Sequence, residues 1–112
     1  MNTKDIGTLG EVKAIAHYIE NGYEVSLPIG DRRPYDFIAE KSGECFRVQV
    51  KCTTVNEVDL RVTGGNKSRN TSKKYRAGDF DELLIVKIGG EKDLFFFFEA
   101  ADIVGRRSIT VR

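Results

Sequence analysis

The stretch Cys45–Thr53 alternates without a break. Phe46, Val48, Val50 and Cys52 fall on one side, and Arg47, Gln49, Lys51 and Thr53 on the other. Successive strand side chains point to opposite faces, so this strand packs with one face and presents polar groups on the other. Upstream, from about Lys4 to Asn21, the residues Ile6, Leu9, Val12, Ile15, Ala16 and Ile19 recur at three-to-four spacing. That period predicts an amphipathic helix. Thr3 is the expected N-cap, and Gly22 stands where a left-handed residue would end the helix.

The remaining chain reads mostly as strands. Tyr23–Leu27 is ended by Pro28 and Gly30, and a basic loop, Asp31-Arg32-Arg33-Pro34, leads into a strand from Tyr35 to about Glu40. Ser42-Gly43 makes the turn into Cys45–Thr53, so these two strands are expected to be adjacent and antiparallel. A fourth strand is expected over about Val58–Thr63 and a polar loop over Gly64–Asp79. Further strands follow at Leu83–Ile88 and Leu94–Phe98, then a short helical piece near Glu99–Val104 and an edge strand at Ser108–Val111. The order is that of a mixed α/β domain, an N-terminal helix followed by a mixed central sheet. With 112 residues, one domain spanning 1–112 is expected.

Composition excludes several classes. A charged fraction of 31% beside 40% apolar residues is that of a globular chain. No stretch is apolar enough to span a bilayer, so no membrane partner is expected. Met1–Asp5 lacks a signal-peptide layout, which predicts a cytoplasmic location. Cys45 and Cys52 fit no zinc spacing and read as packing residues. His17, the only histidine, has no partner motif. Phe95–Phe98 alternate between two faces, either as a strand buried on both sides or with one face in a subunit contact.

The net charge of +1 hides a concentrated distribution. Lys67, Arg69, Lys73, Lys74 and Arg76 follow one another with no acidic residue between them, and Arg32-Arg33 form a second cluster. Together with Asn66, Ser68, Asn70, Thr71 and Ser72, the loop suits contact with phosphates. Its length also exceeds that of most structureless connections.

Three places then combine. Asp36 enters a strand just after Pro34-Tyr35. Gln49 and Lys51, two apart on the next strand, share a face. Glu11 lies on the helix beside Gly7 and Gly10, whose missing side chains permit close approach to a sheet. A hard divalent cation needs oxygen ligands with positions left for water and phosphate. Asp36 supplies charge, and Gln49 and the Val50 carbonyl can complete the shell, with Glu11 binding directly or through water. A lysine such as Lys51 can orient an attacking water and offset charge in a transition state. The set suits phosphodiester hydrolysis.

The runs Gly7-x-x-Gly10-Glu11, Gly22-Tyr23-x-Val25-x-x-Pro28, Pro34-Tyr35-Asp36-Phe37-Ile38 and Arg47-Val48-Gln49-Val50-Lys51-Cys52-Thr53 resemble the PD-(D/E)xK nuclease superfamily. Within it they look most like the bacterial group I intron-encoded homing endonucleases, and more distantly like archaeal Holliday-junction resolvases. Tyr75-x-x-Gly78-Asp79-Phe80-Asp81 carries the likeness more weakly. The resemblance implies a restriction-endonuclease-like core, dependence on Mg²⁺ with Mn²⁺ as substitute, double-stranded DNA as substrate, and a homo-oligomer, dimer or tetramer. It makes Asp36 the principal metal ligand, Lys51 the catalytic lysine and Glu11 the helix carboxylate. Gln49 stands where the pattern usually has Asp or Glu, which removes one negative charge from the metal shell. A site-specific endonuclease is therefore the leading expectation. A structure-specific resolvase and a catalytically weak DNA-binding module are the alternatives.

Overall fold

The computed structural model describes residues 1–30, 32–63 and 72–112. Its first element is helix α1 (Thr3–Glu20). Asn2, one residue earlier than the Thr3 expected from sequence, is the N-cap, and its Oδ1 accepts the Asp5 N–H at 2.8 Å. Gly22, at φ 89°, turns the chain out of the helix.

Among the described residues, nine strands and a short second helix follow: β1 (Glu24–Ser26), β2 (Phe37–Lys41), β3 (Glu44–Thr53), β4 (Glu57–Asp59), β5 (Arg61–Thr63), β6 (Ser72–Lys74), β7 (Glu82–Lys87), β8 (Leu94–Glu99), α2 (Ala100–Ile103) and β9 (Ser108–Thr110). The main sheet has the order β1-β2-β3-β7-β8. Among the described residues only β3 and β7 run parallel, with Gln49 opposite Leu83 and Lys51 opposite Ile85. The other neighbours are antiparallel. The β2–β3 turn is made by Ser42 and Gly43, both at positive φ, which suits a two-residue hairpin. This mixed α/β architecture is the one expected.

α1 covers one face of the sheet. Ala14 and Tyr18 pack there with Phe37, Ala39, Val48, Leu84 and Val86. A Cβ on Gly10 would overlap Cys52 Cβ and lie 2.8 Å from its Sγ, so the helix meets β3 at that point through bare backbone. The buried line of α1 is thus Gly10, Ala14 and Tyr18, not the apolar stripe marked from sequence. Val12 and Ile19 are more than half exposed. At Gly10 only a residue without a side chain fits, because the helix sits so close to the strand there. Phe95 stacks on His17, with ring centroids 4.2 Å apart, so His17 packs against the sheet's edge strand.

Leu83 and Ile85 point the other way, into a second cluster with Val58, Leu60, Tyr75, Phe80, Ile103, Ile109 and Val111. β7 is therefore buried on both faces, which explains its unbroken apolar run. Phe96 and Phe98 join this cluster, while Phe97 stays nearly half exposed. Three sequence expectations change here. The strand expected at Val58–Thr63 divides at Leu60: β4 pairs with β9 and β5 with β6. The Leu60 N–H donates to Arg107 O at 2.9 Å and its side chain is fully buried, which turns the chain between the two pairings. Ser72–Lys74, expected as loop, forms β6, whose backbone pairing owes nothing to an apolar pattern. Cys45 is exposed, at the start of β3, and not a packing residue, whereas Cys52 does pack against α1.

Candidate active site

The pairing of β2 with β3 ends at Phe37↔Val48, and the site lies where the two strands part. The Asp36 N–H still donates to Val48 O at 2.8 Å. Beyond it the Asp36 carboxylate takes over from the backbone: Oδ2 accepts the Val50 N–H at 2.7 Å. This bond fixes the carboxylate beside the half of β3 that carries Gln49 and Lys51. Opposite Leu83 and Ile85, these two half-buried side chains share the face that carries the second cluster. The Gln49 Nε2 donates to Val50 O at 3.3 Å. Lys51 Nζ lies 5.7 Å from the centre of the Tyr75 ring.

Glu11 comes from the helix. With Asp36, Leu27, Pro28, Gly30, Arg33 and Tyr35 it lines a cleft of about 290 Å³. Glu11 follows Gly10, so the close contact at Cys52 is what brings its backbone down to the sheet. Asp36 is the common member: it shares the cleft with Glu11 and feels the charge of Lys51.

Burial pushes the Glu11 carboxyl above its usual range, and the neighbouring charge of Asp36 pushes it further. Burial also raises Asp36, against the opposing pull of the Val50 N–H and of Lys51. Two partly desolvated carboxylates that repel one another are poorly compensated by protein alone. A group with a raised folded pKa costs stability once pH rises through that value. Glu11→Gln should therefore raise the melting temperature of the metal-free protein by a few degrees at pH 8. That gain should vanish below about pH 4.3, where a free Glu carboxyl is protonated in the unfolded chain as well. Thermal unfolding at the two pH values checks this, and a lower melting temperature for Glu11→Gln at pH 8 would contradict it.

The donors fit a hard divalent cation. Asp36 and Glu11 offer carboxylate oxygens, Gln49 an amide oxygen and Val50 a carbonyl with two lone pairs, one of which Gln49 already uses. Among the described residues there is no group of three or more His, Cys, Asp or Glu side chains placed for a metal. That follows from the donor set, in which two members are neutral oxygens.

Of the basic residues marked for DNA, Arg33 lines the cleft, and Arg32, Lys74 and Arg76 are exposed. Lys67 and Arg69 lie outside the described residues, as does the side chain of Lys73. The segment after β6 is well anchored. Arg76 N–H donates to Asp79 Oδ2 at 2.8 Å, and the Arg47 guanidinium reaches both Gly78 O, at 2.6 Å, and the Asp81 carboxylate. Sequence reasoning missed Tyr75, whose ring this anchoring places within 5.7 Å of Lys51 Nζ. Its position in the weaker half of the family pattern, next to a buried Phe80, was the available signal.

The fold has a known counterpart. The sequence matches the PD-(D/E)XK endonuclease family over residues 1–112, and the chain belongs to that family, a class of hydrolases. Among solved structures it is similar to the bacterial homing endonuclease I-Ssp6803I. The two share 31% identity and a TM-score of 0.84, over 100% of this chain and 79% of the other. Comparison with curated proteins gives no match.

Proposed function

We propose that the chain is a site-specific, Mg²⁺-dependent endonuclease of double-stranded DNA. The observation that carries this reading is the Asp36 carboxylate, held on the Val50 N–H, sharing a cleft with Glu11 and close enough to Lys51 to feel its charge. Asp36, Gln49, the Val50 carbonyl and Glu11 would hold the cation, with Mn²⁺ as a substitute. When bound, it polarises a phosphate oxygen and offsets the charge that builds up during displacement. Asp36 supplies the anionic charge of the site, and its bond to Val50 keeps the carboxylate oriented without reorganisation. Lys51 orients the attacking water and stabilises charge on the phosphorane-like transition state. Likeness to a homing endonuclease favours a defined target sequence.

Residues 1–112 act as one nuclease unit in this reading. One chain carries one such site and duplex DNA has two strands, so a homo-oligomer, dimer or tetramer, is the simplest cutting assembly. Arg32, Arg33, Lys67, Arg69, Lys73, Lys74 and Arg76 would contact the DNA backbone. Each phosphate contact contributes about 0.9 to the log–log salt slope of binding. Replacing Lys67, Arg69, Lys73, Lys74 and Arg76 by alanine should flatten the slope by up to about 4.5. An unchanged slope would remove the segment from the interface.

The reading is tested by incubating the protein with plasmid and with linear duplex libraries in Mg²⁺. Cutting at a defined site, lost in Asp36→Asn, is expected. Tight binding with no cutting in Mg²⁺ or Mn²⁺ would instead favour a binding module, the reading that Gln49 keeps open. Preference for a four-way junction over every linear duplex would point to a resolvase.

A further inference from the structure

We propose that Arg47 is a positioning residue, a clamp that holds the basic segment after β6 in fixed register with the cutting site. The inference rests on the proposed endonuclease reading and deepens it, by naming what couples DNA contact to cutting. Arg47 stands on β3 two residues before Gln49 and four before Lys51, on the same face. Its guanidinium is engaged through three nitrogens. Nε and Nη2 donate to the two carboxylate oxygens of Asp81, at 3.2 and 3.1 Å, and Nη1 donates to Gly78 O at 2.6 Å. The backbone repeats the link: the Arg47 N–H donates to Asp81 Oδ2 at 2.8 Å, and the Asp81 N–H to Arg47 O at 2.9 Å. A forked, planar cation makes these contacts together, which a lysine cannot.

What the clamp carries is a stiff turn. Arg76 and Asp79 close it, the Arg76 N–H donating to Asp79 Oδ2 at 2.8 Å and the Asp79 N–H to Arg76 O at 3.1 Å. Gly78, at φ 90°, presents the carbonyl that Arg47 takes. Just before the turn Tyr75 is buried, its ring edge-on to Phe80, while Lys74 and Arg76 on either side of it are exposed. The Arg47 guanidinium also lies 6.0 Å from the centre of the Tyr35 ring, and Tyr35 lines the cleft with Asp36 and Glu11. One side chain thus touches both the segment that offers two cations to phosphates and the wall of the cleft. Phosphates held by Lys74 and Arg76 set where the next phosphate falls only if that segment cannot shift against the cleft. A misplacement of about 1 Å can cost on the order of 10²-fold in rate.

The test is DNA binding and single-turnover cutting by the whole chain, in wild type, Arg47→Gln, Arg47→Lys, Asp81→Ala and Arg47→Gln/Asp81→Ala. Arg47→Gln and Asp81→Ala change the net charge in opposite directions, so a purely electrostatic role would move them apart. A clamp makes them alike: each should slow cutting at saturating DNA by at least about tenfold. The log–log salt slope of binding should stay that of wild type, because no phosphate contact is removed. The double variant should be no slower than the slower single, since one clamp is lost only once. Arg47→Lys keeps the charge without the fork and should be slowed as well, which preserves the test if a larger change unfolds the chain. Cutting within about twofold of wild type in the folded variants overturns the proposal, as does a double loss equal to the product of the two singles. A slope lowered by about 0.9 in Arg47→Gln also overturns it, by making Arg47 a phosphate contact. If wild type binds DNA and does not cut, the endonuclease reading falls, and this inference with it.

Discussion

Lys51→Ala should abolish DNA cutting while leaving DNA binding nearly intact. A positioned acid–base group is worth roughly 10²–10⁴ in rate, and loss of one charge-stabilising donor roughly 10²–10³. Lys51 is asked to do both, so a fall of at least about 10³ in single-turnover rate is expected. Its surroundings make the result specific. Lys51 sits over the Tyr75 ring, acts on Asp36 and is half-buried on β3, whereas the basic residues proposed to meet DNA are exposed. The binding constant at fixed salt should therefore change little. A variant that still cuts within about tenfold of wild type would leave Lys51 without the role given to it.

Gly10→Ala should destabilise the protein where Gly7→Ala does not. Both replacements gain about 1 kcal/mol of helix propensity. A Cβ at Gly7 meets nothing within 4 Å, whereas one at Gly10 overlaps Cys52 at its Cβ, where no flexible chain end can yield. The difference between the two variants isolates the overpacking, about 1–3 kcal/mol. For a domain of this size that is a gap of roughly 5–20 °C in melting temperature. Gly10→Ala should also slow cutting, because pushing α1 away from β3 carries Glu11 away from Asp36. Equal melting temperatures for the two variants would mean that the helix sits less tightly on the sheet than described.

The two variants also show which parts of the structure a sequence can reveal. β3 was legible because its alternation is local: each apolar residue states its face without reference to anything distant. Asp36, Gln49 and Lys51 could be placed together because a tight Ser42-Gly43 turn joins their strands. Of the two glycines marked for close approach, Gly10 does meet the sheet while Gly7 meets nothing within 4 Å, and the helix face was not legible. Period marked Ile15, which does pack against the core, but also Val12, Ala16 and Ile19, which stay exposed, while the fully buried line is Gly10-Ala14-Tyr18. The burial of a face depends on how near the partner lies, and that is not written in one helix.

Longer-range features were hidden for a similar reason. The parallel pairing of β3 with β7 joins residues more than thirty positions apart, as Val48 with Glu82. The β5–β6 pairing uses a polar segment with no periodic signature. Tyr75 follows from both. Its ring reaches Lys51 because the chain beyond β6 is tied back to β3 through Arg47. A tyrosine in a basic stretch carries no mark of that destination.

The central claim is that a helix and two strands bring oxygen donors to one cation. An anomalous difference map from crystals grown in Mn²⁺ tests it most directly. The expected result is a peak at about 2.0–2.3 Å from an Asp36 carboxylate oxygen, with Gln49 or the Val50 carbonyl in the same shell and Glu11 on the cleft side. A fully occupied Mn²⁺ elsewhere on the chain, with Asp36 bound to none, would contradict the account.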